Sequence, residues 1–377
     1  MATNDGLAGT GLLTAALGRD AREALGYERL PDNRVRCNLC AHHCLILEGK
    51  AGICHVRVNR GGALYSLVYG RAISANIDPV EKKPLLHFYP GSTAYSIATP
   101  GCNFHCRWCQ NWDISQMPRE MHLVMGAEAS PEQIVEEAQR SGCRSIAYTY
   151  TEPTVFFEYA YDTARIAHER GLANIFVTNG YESREALEML GPYLDAANVD
   201  LKAFRDSTYR KYVGAMLGPV LDTVRWLKGH GVWLEVTTLV IPGLNDDPAE
   251  LADAAGFVAG ELGADTPWHI SRFSPGYRML DVPPTPAATL QRAAEIGRKA
   301  GLRYVYVGNV AGEENTRCHR CGKLLIRRGG YRIVKRNVRV KDGGFVCPDC
   351  GEAVAGVGLG GGQTESPDEP FGPSELL

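Results

Sequence analysis

Through the middle of the chain, short runs of apolar and β-branched residues alternate with longer segments whose apolar positions recur at helical spacing. The short runs fall at 146–150, 174–178, 197–201, 232–237, 268–271 and 304–307, preceded by a similar run at 95–98. Between them the spacing predicts helices over 131–141, 155–170, 183–190, 247–261 and 286–300, several with proline in the first turn and glycine just past the end. Repeated strand–helix units call for a parallel sheet. Counted from the run at 95–98, their order fits an α/β fold, a partial (β/α)6 TIM-like barrel. In such barrels the reacting residues gather at the C-terminal ends of the strands.

The flanks follow other patterns. An apolar patch at 12–17 is too short for a signal peptide or membrane span and predicts a short surface helix, with residues 1–30 expected to form an N-terminal helical unit. Residues 31–90 form a cysteine-rich segment, 91–312 the barrel core, 313–355 a second cysteine-rich unit. A tail over 356–377, rich in Gly, Pro, Ser and acids, is expected to be disordered.

Composition narrows the function classes. Over 377 residues, 45% hydrophobic and 22% charged, the net charge is only −3, which gives no electrostatic footprint for nucleic acid or an anionic membrane. Eleven of the twelve cysteines fall into three spaced groups. Such groups point to metal sites, hence to a reducing compartment, and the expected location is the cytoplasm. Cys143 stands apart and is expected to be a small buried hydrophobe.

Cys102, Cys106 and Cys109 form a C-x3-C-x2-C loop directly after the strand at 95–98, with the aromatic Trp108 before the third cysteine. An iron–sulfur cluster normally takes four thiolates. Three on one loop leave one iron open, and an open coordination position marks a catalytic centre rather than a structural one. This motif resembles the signature of the radical S-adenosylmethionine (SAM) enzymes. The resemblance implies a [4Fe–4S] cluster whose open iron chelates SAM. It further implies reductive SAM cleavage to a 5′-deoxyadenosyl radical that abstracts hydrogen from a substrate, with Trp108 beside the adenine.

Under the same resemblance the other strand ends acquire expected roles. Glu152, in Tyr150-Thr151-Glu152-Pro153, takes the place of a Gly-Gly-Glu motif that receives the SAM ammonium. Thr178 and Asn179 of Thr-Asn-Gly help build the floor, Asp200 and Lys202 lie near the SAM carboxylate, and His269 meets SAM. The strand at 235–246 lines the ribose side. Val177 stands where related activases place an aspartate beside a cation, so no cation is expected there.

Cys318, Cys321, Cys347 and Cys350 form two C-x2-C-G knuckles at zinc-ribbon spacing, with a rubredoxin-like iron as the alternative. Cys37, Cys40, Cys44 and Cys54 offer four more thiolates that suit zinc or an auxiliary [4Fe–4S] cluster, and a structural zinc knot beneath the barrel entrance is the slightly preferred reading. The order of all these parts, with Asp78-Pro-Val-Glu-Lys-Lys-Pro84 before the barrel, resembles the AmmeMemoRadiSam system radical SAM enzymes, relatives of the pyruvate formate-lyase activating enzymes. That resemblance implies Memo-type and AMMECR-type partners, an electron donor such as flavodoxin or ferredoxin, and an unidentified, plausibly macromolecular substrate. Activation of a glycyl radical enzyme is an alternative function, a non-catalytic zinc-binding scaffold another. The segment 84–90 is expected to cross the barrel mouth.

Overall fold

The structure, a computed structural model, describes residues 21–310 and 314–360. Its centre is one sheet of eight strands in sequential order: β1 (Ser74–Pro79), β2 (Thr93–Ala98), β3 (Ser145–Tyr148), β4 (Ala173–Thr178), β5 (Ala196–Asp200), β6 (Trp233–Val240), β7 (Trp268–Arg272) and β8 (Val305–Gly308). Strands β2 to β8 pair in parallel, and β1 runs antiparallel along the β2 edge. Because β1 and β8 do not pair, the barrel is partial. Six helices complete the strand–helix units: α1 (Pro131–Arg140), α2 (Phe157–Glu169), α3 (Arg184–Leu190), α4 (Leu217–Gly229), α5 (Pro248–Phe257) and α6 (Ala287–Lys299).

Local chemistry explains the helix starts. Ser130 and Gln133 form a reciprocal capping box around Pro131 at α1; Ser183 caps α3, and Asp247 accepts from two backbone N–H groups ahead of Pro248 at α5. The sequence pattern did not anticipate α4, because Gly218-Pro219 reads as a turn. Pro219 instead occupies the first helical turn, where its missing N–H removes no intrahelical bond.

Three expectations at the flanks are corrected. Residues 21–30 carry two short strands, Arg22–Glu23 and Tyr27–Leu30, and no helix; the helix expected at 12–17 lies outside the described residues. The tail is ordered at its start: Val357 bridges to Phe88 and Leu359 is fully buried, while 361–377 lie outside the described residues. The segment 84–90 does not cross the mouth. Since β1 descends antiparallel to β2, its continuation emerges at the N-terminal ends of the parallel strands. There Leu85 and Phe88 pack on Ala94, Ala147, Ile175 and Ala196, plugging the floor of the barrel. The C-terminal unit docks on that plug through fully buried Arg328, whose Nη2 donates to the Leu86 carbonyl (2.6 Å), and through Arg336, which donates to that of Pro90 (2.7 Å). Among the described residues no helix is long and apolar enough to cross a membrane.

Candidate active site at the strand ends

The loop after β2 carries Cys102, half-buried, then buried Cys106 and half-buried Cys109. Around them the fold supplies hydrogen-bond donors to sulfur. The Phe104 N–H points at Cys102 Sγ (3.3 Å), Ser115 Oγ lies 3.3 Å from Cys109 Sγ, and Asn179 Nδ2 approaches Cys102 Sγ at 3.9 Å. Burial pushes the Cys106 thiol up to about 12, partly offset by the nearby Lys202 cation. Burial, then the Glu152 charge, holds Cys102 well above the usual thiol range. The donors aimed at these sulfurs suit thiolates that carry charge, as metal-ligating cysteines do. Trp108 is buried in the core beside the loop.

Glu152 lies four residues past the end of β3. Its Oε1 accepts from the Thr154 N–H and hydroxyl (3.0 and 2.7 Å) and from Thr178 Oγ1 (2.9 Å), while Oε2 accepts from the Asn179 N–H (2.9 Å). It is thus a buried helix cap joined to the Thr-Asn-Gly loop, with acceptor capacity left on Oε2. Asn179 Nδ2 also donates to Asn103 Oδ1 (2.8 Å), tying that loop to the cysteine loop.

Asp200 ends β5, and its Oδ2 accepts from Lys202 Nζ (2.6 Å). Burial alone would lower the Lys202 pKa, but Asp200 and Cys106 outweigh it and hold the ammonium above its usual range. Cys102, Cys106, Cys109, Glu152, Thr178, Asn179, Asp200 and Lys202 all follow or end their strands at the C-terminal face.

His269 does not sit at a strand end: it is the second residue of β7, buried in the interior, with Nε2 donating to Glu235 Oε2 (2.6 Å). Glu235 also accepts from the N–H groups of Leu86 (3.1 Å) and His87 (2.8 Å) and from Trp233 Nε1 (3.0 Å). These bonds tie His269 and the predicted ribose-side strand to the floor plug.

Sequence reasoning missed two groups. Tyr150, held at φ +62°, turns its hydroxyl onto Asp78, which also pairs with Lys82 (2.8 Å) and Lys83 (2.6 Å); the Lys83 ammonium lies over the Tyr150 ring at 4.3 Å. Burial pulls Lys83 down to about 8. Asp78 and Lys83 belonged to a noticed motif, but nothing along the chain places them against Tyr150.

The second missed group is Glu182. Thr178 Oγ1 lies 2.6 Å from Glu182 Oε1 as well as 2.9 Å from Glu152, yet a hydroxyl has one proton to give. One carboxyl must therefore carry its own. Burial, then the Glu152 charge, pushes Glu182 up to about 8, so at neutral pH Glu182 donates to Thr178, which donates to Glu152. The unfolded chain would ionise Glu182 near its ordinary value, leaving the folded state with one extra proton between there and pH 8. Stability must then fall as pH rises across that window. Between pH 5.5 and 8 the wild type is expected to lose up to about 3 kcal/mol more than Glu182→Gln, at one proton per 1.4 kcal/mol per pH unit. Thermal midpoints at equal metal loading check this; parallel pH profiles would contradict it.

In the C-terminal unit the Sγ atoms of Cys318, Cys321, Cys347 and Cys350 all lie within 4.8 Å of one another, with Cys318–Cys350 at 3.6 Å and Cys321–Cys347 at 3.7 Å. A tetrahedral ion bonded to sulfur at about 2.3 Å needs edges of about 3.8 Å, so this set could hold a metal ion.

Residues 96–255 match the sequence family described as Radical SAM superfamily. An uncharacterized protein of Methanocaldococcus jannaschii is 48% identical over 337 residues, covering 88% of this chain and 98% of its own length. The benzylsuccinate synthase activating enzyme of Thauera aromatica is 22% identical over 277 residues, 68% of this chain and 81% of that enzyme.

Proposed function

Because this chain belongs to the radical SAM superfamily, we propose that it is an enzyme that binds SAM on a [4Fe–4S] cluster held by Cys102, Cys106 and Cys109 and uses it to abstract hydrogen from a substrate. The carrying observation is the convergence, at one face of the barrel, of a three-thiolate loop with Glu152, Asn179, Asp200 and Lys202. When bound, cluster and SAM supply reductive cleavage of SAM to a 5′-deoxyadenosyl radical. The protein's part is positioning. Donors from Phe104, Ser115 and Asn179 stabilise charge on the thiolates. Glu152 Oε2 offers an acceptor for an ammonium, and the protonated Glu182 relieves the charge repulsion that a second carboxylate would add. Lys202 balances anionic charge near Cys106. The test is the electron paramagnetic resonance (EPR) spectrum of the reduced, iron-loaded protein: adding SAM shifts the cluster signal if SAM binds the open iron, and an unchanged spectrum would refute it.

A second reading, activation of a glycyl radical protein, is favoured by the similarity to the Thauera activating enzyme. It requires a glycyl radical protein in the same organism.

We also infer that Cys318, Cys321, Cys347 and Cys350 hold zinc. The buried core around them is small, chiefly Leu325, Ile326, Val354 and Leu359 beside the cysteines themselves, so the ion must supply much of the folding free energy, which for structural zinc is on the order of 10 kcal/mol. Chelation is expected to expose 316–354 to proteolysis while the barrel stays intact. An equally resistant metal-free ribbon, or iron in its place, would contradict this.

A further inference from the structure

The N-terminal cysteines present a different geometry from the C-terminal ones. Cys37, Cys40, Cys44 and Cys54 line a single pocket. Among the described residues, only the C-terminal four bring three or more metal-binding atoms within 4.8 Å of one another. As placed, no three of the N-terminal sulfurs lie within 4.8 Å of one another, a wider arrangement than the sulfur–sulfur edges of about 3.8 Å around one tetrahedral ion. Nor do the sulfurs of Cys102, Cys106 and Cys109 all lie within 4.8 Å of one another. A cubane carries its thiolates on four separate irons around a central body, so wide spacing about a void is what it demands.

The cavity also contains unsatisfied donors. Arg57 is 3% exposed and pairs through Nη1 and Nη2 with Glu158 and through Nη2 with the Leu25 carbonyl, yet its Nε has no partner. Asn103 is 1% exposed, and its Nδ2 has none. Both residues line the cavity. Orphaned buried N–H groups cost about 1–3 kcal/mol each, and an anionic ligand rich in sulfur acceptors would satisfy them. Leu39, Ile46 and Val155 give it apolar walls.

We propose that this cavity holds an auxiliary [4Fe–4S] cluster ligated by Cys37, Cys40, Cys44 and Cys54 and hydrogen-bonded by Arg57 and Asn103. All four irons are then ligated by protein, so this cluster does not bind SAM. Its position is specific. Asn103 directly follows Cys102, and its carbonyl bonds His42 Nε2 at 2.9 Å, so a single residue separates the two cysteine sites. The segment also zips onto the loop after β4, with Cys40 bridging Glu182 and the Ala41 N–H donating to the Tyr181 carbonyl.

The test is the triple variant Cys102→Ala/Cys106→Ala/Cys109→Ala, reconstituted anaerobically as the full chain. It is expected to retain about four irons and about four sulfides per chain, with a reduced EPR signal that SAM does not alter. Adding Cys40→Ala and Cys44→Ala should remove that iron. Zinc in place of iron in the triple variant, two irons, or no metal would overturn the proposal. Should the variants misfold, the wild type decides: about eight irons support it, and about four irons with two zinc ions refute it. Neither readout depends on SAM cleavage, so failure here is distinguishable from failure of the proposed activity.

Discussion

Cys106→Ala is expected to abolish reductive SAM cleavage, with 5′-deoxyadenosine falling below detection and about four irons lost per chain. The loop supplies only three thiolates, and no fourth cysteine joins them: the remaining cysteines are committed to the N-terminal cavity, to the ribbon, or, for Cys143, to the core. In the proposed cluster, losing one of three ligands would leave two irons open and the cluster held by two points. Cys106 is also the thiol electrostatically closest to Lys202, whose charge opposes the effect of burial on it. Cys143→Ala serves as the control. Its side chain is buried in the core, so the change should cost modest stability and leave cleavage intact. Retained cleavage in Cys106→Ala would refute the assignment of the cysteine loop.

Glu235→Ala is expected to destabilise the barrel by about 3–5 kcal/mol, the range for breaking a buried charge network from one side. Glu235 is fully buried, and its two oxygens accept four donors: two backbone N–H groups of the plug, Trp233 Nε1 and His269 Nε2. Although burial opposes ionisation, His269 outweighs it and holds the carboxyl below its usual range. Truncation leaves those donors without partners and loosens the plug to which Arg328 anchors the ribbon. With roughly 2–4 °C per kcal/mol for a domain of this size, the thermal midpoint should drop by on the order of 10 °C. Glu235→Gln, which keeps acceptor capacity on one atom only, should lie between. A loss under about 1 kcal/mol in Glu235→Ala would show that plug and barrel are held by apolar packing alone.

The sheet was legible because strands buried on both faces read as continuous apolar runs, and because Ser130, Ser183 and Asp247 announce their helices one residue ahead. Helix α4 was hidden by a proline that the first turn tolerates. The site was legible where chemistry is local in sequence, as in the cysteine loop and Asp200–Lys202. It was illegible where partners meet only through the fold. Glu182 matters because Thr178 carries a single proton between it and Glu152, a contact across 30 residues of chain. His269 was given a mouth role by its motif, whereas it is the second residue of β7 and is turned inward onto Glu235. Cysteine spacing along the chain does not report distances between sulfurs, so only the folded geometry separates the N-terminal cavity from the C-terminal tetrahedron.

The central claim is that the open iron at Cys102, Cys106 and Cys109 delivers an electron to SAM. The direct test is 5′-deoxyadenosine formation by the anaerobically reconstituted wild type with SAM and dithionite. The account predicts 5′-deoxyadenosine and methionine in equal amounts; iron-loaded, SAM-bound protein that yields neither would contradict it.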